Sequence, residues 1–314
     1  MKPKNTVLIH AVLILTAAAT LMPFVFMVNN AFRGNSEFYH SFFSAPDSFT
    51  GLARVGVHCL TGDARPLTVT DEDGTTRQLS RAEAAAHFAS RIAAGPQRAW
   101  RVMRRYVVNS FIVSGLSALG VAVLGSGTAY ILARHRFLGH RFVFTFILAT
   151  MVFPGVLTLV PSFLLVKQLG LLNTYWAMIL PYVATGQVFA IFVFRSFFAG
   201  LSEELFESAR LDGAGHWGLY WNIVLPLSRP VFSVVLIMNI LGTWNNFLWP
   251  YIVNTDDRHH VLASGLYTMA VSSVASDFGT MFAAYTLSSI PLLILFVYAT
   301  KPFIRGMTSG AFKA

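Results

Sequence analysis

Cysteine, lysine and acidic residues are scarce in this sequence. Its 314 residues include 14 Asp and Glu, five Lys and a single cysteine, Cys59. One cysteine excludes a disulfide within the chain and a cysteine-based zinc site. No lysine follows a glycine, and the patterns G-x-S-x-G and H-E-x-x-H do not occur. A P-loop, a hydrolase nucleophile elbow and a zinc-protease site are therefore excluded, and we predict that the chain is not an enzyme.

Apolar residues, in contrast, are abundant. The chain is 55% hydrophobic and only 12% charged, and it contains 28 Phe. This composition is typical of an integral membrane protein. The formal charge of +9 fits either a nucleic-acid partner or basic residues beside membrane spans. The positive-inside rule favours the second explanation, so we expect a lipid environment and no nucleic acid.

Six stretches reach the roughly 20 apolar residues that cross the hydrocarbon of a bilayer. They are residues 7–29, 106–133, 142–166, 175–198, 224–253 and 280–300. The first is too long for a signal peptide and lacks a small-residue cleavage site, so we predict a permanent helix. Lys2 and Lys4 precede it, which places the N-terminus in the cytoplasm. Six crossings then return the C-terminus to the same side. The predicted fold is an all-α membrane protein with six transmembrane helices.

Basic residues in the short connections support this topology. The outer connections carry only Lys167 and Arg258. The inner connections and the C-terminus carry Arg134, Arg136, Arg141, Arg195, Arg210, Arg229, Lys301, Arg305 and Lys313. This asymmetry is the one that the positive-inside rule requires. The chain then divides into a first span, 1–32, an extracytoplasmic insertion, 33–105, and a five-helix core, 106–314.

The extracytoplasmic insertion has fold signals of its own. "LTVTDEDGTTRQL" predicts two short strands around an Asp73-Gly74 turn. The following segment predicts a helix that Ser80 and Glu83 cap and that Gly95-Pro96 ends. We therefore expect a small α+β subdomain. The arginines that follow it are either bound to lipid headgroups or a solvated basic flank: Arg98, Arg101, Arg104 and Arg105.

Every acid of the chain falls outside the predicted spans. Transporters driven by protons or sodium usually need ionisable residues at bilayer depth. Ion coupling is therefore disfavoured, although backbone carbonyls can also bind sodium. His259 and His260 lie in an outer loop with Asp256 and Asp257, but without the helical spacing that would fix a metal. We predict a solvated loop there, no metal site and no cofactor.

The stretch "EELFESARLDGAGHWGLYWNIVLPLSRP" is the most polar part of the core. Ser202, Glu203 and Glu204 start a helix, and Gly213 is placed to end it at the C′ position. An amphipathic piece follows, with Trp217, Tyr220, Trp221 and Val224 at spacings of three and four, before Pro226 opens the fifth span. Such a helix-turn-helix serves as an interfacial anchor or as a docking element. Its acids and sharp turn favour docking of a soluble partner.

This stretch resembles the EAA motif of permease subunits in bacterial ATP-binding-cassette importers. The matching residues are Glu207, Ala209, Asp212, Gly213, Ala214, Ile223, Leu225, Pro226 and Pro230. Ser208 stands where the family usually has alanine, and Tyr220 where phenylalanine is common. "GTWNNFLWPYIV" and the C-terminal "KPFIRGMTSGAFKA" are similar to the second permease of maltose-type carbohydrate importers. The external loop 35–97 is longer than the usual counterpart.

The resemblance implies an assembly in the bacterial inner membrane. Two cytoplasmic ATPase subunits would power this chain and a second permease, and an extracytoplasmic binding protein would deliver sugar. The EAA loop, 202–226, would form a coupling helix that fits a cleft in the ATPase. On this basis the coupling residues are Glu207, Ser208, Ala209, Asp212, Gly213, Ala214 and Pro226.

The fifth predicted span is the candidate substrate path. It places amides and indoles at membrane depth, where lone polar groups are costly: Asn239, Thr243, Trp244, Asn245, Asn246 and Trp249. Either they contact a sugar, or the amides hydrogen-bond between helices and the tryptophans belong to the outer aromatic belt. In the second span a stripe of small residues, Ser114, Ala118, Ala122 and Ser126, predicts close helix packing.

We therefore expect a permease subunit of an ATP-driven importer for a sugar or oligosaccharide. The alternative within the class is a polyol or glycerol phosphate as substrate. Outside the class, the alternative is an ion-coupled transporter.

Overall fold

The computed structural model describes residues 3–41, 43–62, 65–71, 74–272 and 277–311, with the side chains of 3–5 and 301–311 left out. The protein is mostly helical, at 79%. The helices are α1 Pro3–Asn30, α2 Asn35–Ser41, α3 Asp47–Leu60, α4 Arg81–Arg134, α5 His140–Ala149, α6 Leu159–Gln168, α7 Trp176–Ala199, α8 Glu203–Leu211, α9 His216–Leu219, α10 Leu225–Leu227, α11 Arg229–Asn245, α12 Leu248–Val253, α13 Leu262–Val271 and α14 Phe278–Ala311. Strands β1 Leu67–Thr70 and β2 Thr76–Leu79 form one antiparallel hairpin.

The chain forms two compact units. The first contains Met1–Arg104 and Leu266–Ile290, and the second contains Arg105–Gly265 and Pro291–Ala314. The hairpin, α2, α3 and the start of α4 lie in the first unit, in the part of the chain where we predict a small α+β subdomain. Its core is a cluster of Val55, Val69, Ala84 and Phe88. Gly74 has φ +83°, as the predicted turn requires, whereas Asp73 lies outside the described residues.

The capping box at the start of α4 is confirmed. The Ser80 hydroxyl donates to Glu83 Oε2 at 2.6 Å, and the Ser80 amide donates to the same oxygen at 2.9 Å. These two bonds favour the charged carboxylate and so lower the pKa of Glu83. They also satisfy donors that a helix start would otherwise leave free.

The predicted end of this helix at Gly95-Pro96 is wrong, because α4 continues through Pro96 to Arg134. A proline inside a helix costs about 3 kcal/mol. Burial compensates for that cost, because Ala84 before the proline, and Ala99 and Met103 after it, are fully buried. A Cβ added to Gly95 would lie 2.7 Å from the Ala31 carbonyl oxygen, so this glycine serves close packing and does not act as a helix stop.

Four helices are long and apolar enough to cross a membrane by length and composition: Thr6–Asn30, Arg81–Arg134, Trp176–Ala199 and Phe278–Thr300. They correspond to the predicted first, second, fourth and sixth spans. A fifth arises if His216–Leu227 and Arg229–Asn245, which meet at 76°, are taken as one broken span. The count of six continuous spans is therefore not what the described residues show.

The third and fifth predicted spans are broken at prolines. Helix α5 ends at Ala149, a 3₁₀ turn follows, and Phe153 before Pro154 is extended with ψ 122°. In the fifth, Asn246 leaves the helix at ψ 113° between α11 and α12. Pro250 has no amide for the Asn246 carbonyl, and its ring would clash with that carbonyl in a helix. Hydropathy alone does not register these breaks.

Two further features differ from the sequence prediction. The connection between the last two predicted spans contains helix α13, whereas we expected only a loop. Pro226 lies inside the short helix α10 and not at the start of the fifth span, because α11 begins at Arg229 with Pro230 in its first turn. The side chains of "KPFIRGMTSGAFKA" lie outside the described residues.

The small-residue stripe of α4 packs as predicted within the second unit. Ser114, Ala118, Ala122 and Ser126 are all buried. A Cβ added to Gly125 would lie 2.9 Å from Ala190 Cβ, and one added to Gly120 would lie 2.7 Å from Val183 Cγ2. Helices α4 and α7 therefore approach each other closely at Gly120 and Gly125.

The native Cys59 provides a test of topology. It is exposed on α3, in the insertion that we predict to be extracytoplasmic. Intact cells should therefore be labelled at Cys59 by a membrane-impermeant maleimide, and Cys59→Ser should abolish the signal. In the Cys59→Ser background, Gly215→Cys should react only after the membrane is opened. Labelling of Gly215→Cys in intact cells would reverse the assignment of sides.

Candidate functional site

Helix α8 ends in a complete Schellman motif. Gly213 has φ +85°, a left-handed conformation that glycine adopts without a Cβ penalty. The Ala214 amide donates to the Ala209 carbonyl at 2.9 Å, and the Gly213 amide donates to the Arg210 carbonyl at 3.0 Å. The sharp turn predicted at Gly213 is thus confirmed. Ser202 occupies the predicted N-cap position, but its side chain makes no capping hydrogen bond.

Arg134, the last residue of α4, holds α8 in place. Its guanidinium donates to Glu203 Oε2 and to the carbonyls of Phe198 and Leu201, each at 2.7 Å. It also lies 3.9 Å from the centre of the Phe206 ring. Charge-assisted bonds and a cation–π contact at a largely buried side chain form a rigid link between α4 and the connection from α7 to α8. From the sequence alone, Arg134 was predicted only to be one of the basic residues on the cytoplasmic side.

Phe206 fixes α8 from the side that faces the core. It is fully buried in a cluster that includes Phe194, Phe198 and Leu219. Burying an aromatic side chain of this size stabilises by roughly 1.5–3 kcal/mol. One face of α8 therefore packs on the core, and the opposite face is exposed.

The predicted coupling residues fall on both sides of that division. Ala209 and Ala214 are half-buried and pack on the Phe206 cluster. The exposed members are Glu207, Ser208, Asp212, Gly213 and Pro226. Glu207 has no hydrogen bond or ion pair among the described residues. Helix α8 therefore presents the exposed Glu207 carboxylate on one face, while Arg134 and the Phe206 cluster hold its other face.

The second piece of the stretch is less regular than predicted. It consists of α9, a π-helical turn at Tyr220–Val224 and α10. Pro226 explains the π turn, since it offers no amide to the Asn222 carbonyl four residues earlier. Trp217 and Trp221 are exposed, whereas Tyr220 and Val224 are buried, so the four residues do not share one face. The Tyr220 hydroxyl lies 2.7 Å from Ser126 Oγ on α4.

A mostly apolar cavity of about 420 Å³ lies beside this segment. It is lined by Gly127, Tyr130, Ile131, His135, His216, Trp217 and Tyr220. The rings of His135 and His216 are 4.7 Å apart. Burial, and then the nearby His216 and Arg210, lower the pKa of His135. A neutral imidazole there suits packing against its aromatic neighbours.

An open groove of about 440 Å³ runs between α4, α7 and α11. Three of the predicted path residues, Asn239, Thr243 and Asn246, line it. Helix α7 contributes Tyr182, Thr185, Gly186 and Phe189; the other lining residues are Val121, Val235, Met238 and Gly242. Irregular backbone at membrane depth is tolerated where it lines a cavity, and Asn246 sits at such a break.

The other three predicted path residues lie elsewhere. Trp244 is buried against Phe111, with ring centres 5.0 Å apart. Trp249 is buried, and its indole N–H donates to the Ala177 carbonyl at 3.0 Å. Asn245 is exposed, and its amide donates to the Leu241 carbonyl at 2.9 Å. The two tryptophans pack between helices.

The groove residues on α7 were not predicted. Tyr182 and Thr185 occupy positions i and i+3 of α7, a mostly apolar span. Polar side chains with helical spacing inside a span are a signal that was available in the sequence. The facing position of Asn239 on α11 was not, because it depends on tertiary packing.

Comparison with known proteins shows the family to which the chain belongs. Residues 122–309 match the family described as binding-protein-dependent transport system inner membrane component, and the chain belongs to that family. The matched region includes the whole of α8, its turn and all but one of the residues that line the groove. The resemblance to permease subunits that was drawn from the EAA motif is thereby confirmed.

Relatives share most of the chain. The diacetylchitobiose uptake system permease protein NgcG of Streptomyces coelicolor is 32% identical over 307 residues, which cover 97% of this chain and 88% of the relative. The sn-glycerol-3-phosphate transport system permease protein UgpE of Yersinia pestis is 30% identical over 205 residues, 65% of this chain and 72% of the relative. A crystal structure of a bacterial ABC transporter involved in alginate import superposes with a TM-score of 0.70 at 19% identity, covering 95% of this chain and 96% of that one, and shows the same fold.

Proposed function

We propose that this permease couples ATP hydrolysis in a partner subunit to sugar import through the exposed face of α8. One observation carries the proposal: α8 presents Glu207, whose side chain is exposed and has no partner among the described residues, while Arg134, Phe206 and the turn at Gly213 hold the other face of the helix rigidly. A chain without its own P-loop must receive force through a stiff contact. A short helix fixed at both ends transmits the closure of an ATPase to α4, α7 and α11.

The partners follow from the family and the site. Two cytoplasmic ATPase subunits would meet the Glu207 face, a second permease would complete the path, and an extracytoplasmic binding protein would deliver substrate. The six crossings would be α1, α4, α5 with α6, α7, α11 with α12, and α14, in the bacterial inner membrane. Both termini then lie in the cytoplasm, on the same side as α8.

The substrate that we propose is a sugar or oligosaccharide. The relatives include permeases named for uptake of a disaccharide and of a glycerol phosphate, so similarity alone leaves both substrates open. The groove favours the sugar, because hydroxyl, amide and aromatic side chains line it. Neutral groups of this kind are typical of sites that orient small polar ligands.

Reconstitution tests the division of labour. The purified chain in liposomes should hydrolyse no ATP, whereas the complete complex should hydrolyse ATP faster when the binding protein and sugar are added. Uptake of labelled sugar should require both ATP and the binding protein. Hydrolysis by the isolated chain, or uptake driven by a sodium or proton gradient without ATP, would contradict the proposal.

A further inference from the structure

We propose that Tyr182 and Asn239 form a subsite that recognises hydroxyl groups of a neutral sugar and disfavours an anionic substrate. The proposal rests on the proposed function and deepens it, since it restricts the sugar to a neutral one and names the residues that bind its hydroxyl groups. The two side chains face the same groove from neighbouring helices, α7 and α11.

Both side chains carry a buried polar atom without a partner. The Tyr182 hydroxyl and Asn239 Oδ1 make no hydrogen bond among the described residues. Leaving such an atom unpaired in an apolar environment costs about 1–3 kcal/mol. Most buried polar atoms in folded proteins are paired, so two exceptions along one groove call for an explanation. A ligand that supplies the missing hydrogen bonds provides it.

The position of Asn239 is set by close packing. A Cβ added to Gly186 would lie 2.6 Å from Asn239 Nδ2 and 2.8 Å from Val121 Cγ2. The amide nitrogen is therefore pressed against α7, at the point where α4, α7 and α11 meet. This contact restrains the amide and leaves Oδ1 as the acceptor without a protein donor.

The two atoms offer complementary chemistry. A phenol hydroxyl both donates and accepts, whereas an amide oxygen accepts only. A sugar hydroxyl can therefore donate to Asn239 Oδ1 while a second one accepts from Tyr182. Both atoms are covered in this conformation, so they become available when α7 and α11 move during transport. Phe189 supplies an apolar wall for the carbon face of a sugar ring.

Charge decides the substrate class. Among the described residues that line the groove, none is Lys, Arg, His, Asp or Glu. A phosphate or carboxylate taken into such a groove would lose its hydration without gaining a cation, which costs far more than burying hydroxyl groups that find partners. A neutral polyhydroxylated substrate meets no such penalty.

The experiment compares matched substitutions in membrane vesicles that contain the complete complex and its binding protein. Tyr182→Phe removes only the hydroxyl, with Tyr251→Phe as its control outside the groove. Asn239→Leu replaces the amide, with Asn245→Leu on the same helix as its control. The probes are labelled N,N′-diacetylchitobiose, maltose and glycerol 3-phosphate. Each groove variant should raise the KM for sugar uptake about fivefold, the change expected for one lost neutral hydrogen bond, while its control stays at the parent value.

The outcomes separate the subsite from the proposed function. ATP-dependent sugar uptake with unchanged KM in both groove variants would overturn the subsite and leave the proposed function standing. ATP-dependent uptake of glycerol 3-phosphate without uptake of either sugar would overturn the neutral-substrate assignment. If the parent complex imports none of the three and its ATPase does not respond to the binding protein, the proposed function itself falls. Binding-protein-stimulated ATP hydrolysis, measured in every variant, shows that each complex is assembled.

Discussion

Replacing Gly213 by valine should abolish most sugar uptake while the complex still reaches the membrane. The residue has φ +85°, and a β-branched side chain in that region is strained by about 1–3 kcal/mol. Among the described residues, no atom beyond the glycine and its two chain neighbours lies within 4 Å of an added Cβ, so the strain comes from the backbone and not from a clash. Relieving it would break the hydrogen bonds that end α8 and tilt its exposed face. Transport and the response of the ATPase to the binding protein should both fall at least tenfold.

Gly215→Val is the matched control. Gly215 lies two residues further on, also has open space around an added Cβ, and has φ −77° and ψ 175°, which suit valine. It should transport at close to the parent rate. Glu207→Arg should reduce the coupling of ATP hydrolysis to transport as Gly213→Val does, because it places a cation where we propose that the ATPase meets an acid. If Gly213→Val and Glu207→Arg are present at normal levels and import sugar as the parent does, α8 is an anchor and not a coupling element.

Gly186→Val should destabilise the core and close the groove. An added Cβ would lie 2.6 Å from Asn239 Nδ2 and 2.8 Å from Val121 Cγ2, distances that real Cβ atoms essentially never show. Overpacking of this kind costs about 1–3 kcal/mol and forces the neighbouring helices apart. We expect a fall in the melting temperature of the detergent-purified complex of several degrees and loss of sugar uptake.

Gly242→Val separates the clash from the change in helix propensity. Gly242 lines the same groove from α11, and an added Cβ there meets nothing within 4 Å. Both substitutions replace a helical glycine by valine, so their propensity terms are alike. Gly242→Val should retain the parent melting temperature. Equal melting temperatures for the two variants would contradict the close contact of α4, α7 and α11 at Gly186.

Local chemistry explains why some elements were predictable. The capping box at Ser80 and Glu83, the hairpin between β1 and β2, and the turn at Gly213 each depend on a few neighbouring residues. Such motifs form wherever the correct side chains have the correct spacing. The long apolar spans were predictable for a related reason, since length and hydropathy alone determine whether a helix can cross a bilayer.

Prolines show where local signals compete. Gly95-Pro96 has the sequence of a helix end, but α4 continues, because buried Ala99 and Met103 hold the helix in place beyond it. Pro250 has the same local effect, and there the helix is interrupted, at Asn246 beside the groove. The sequence shows both prolines equally well. Packing within each unit determines which of them interrupts a helix.

Sequence alone determined the class of this protein: its composition is that of a membrane protein, and its EAA residues identify the family that residues 122–309 confirm. Tertiary structure decided which side chains meet. It placed Asn239 and Tyr182 along one groove and Arg134 over the ring of Phe206. It also placed Trp244 and Trp249 in contacts between helices. The physical reason is that helix periodicity defines the neighbours of a residue along one helix, whereas the neighbours on another helix depend on how closely small residues such as Gly186 let the helices approach.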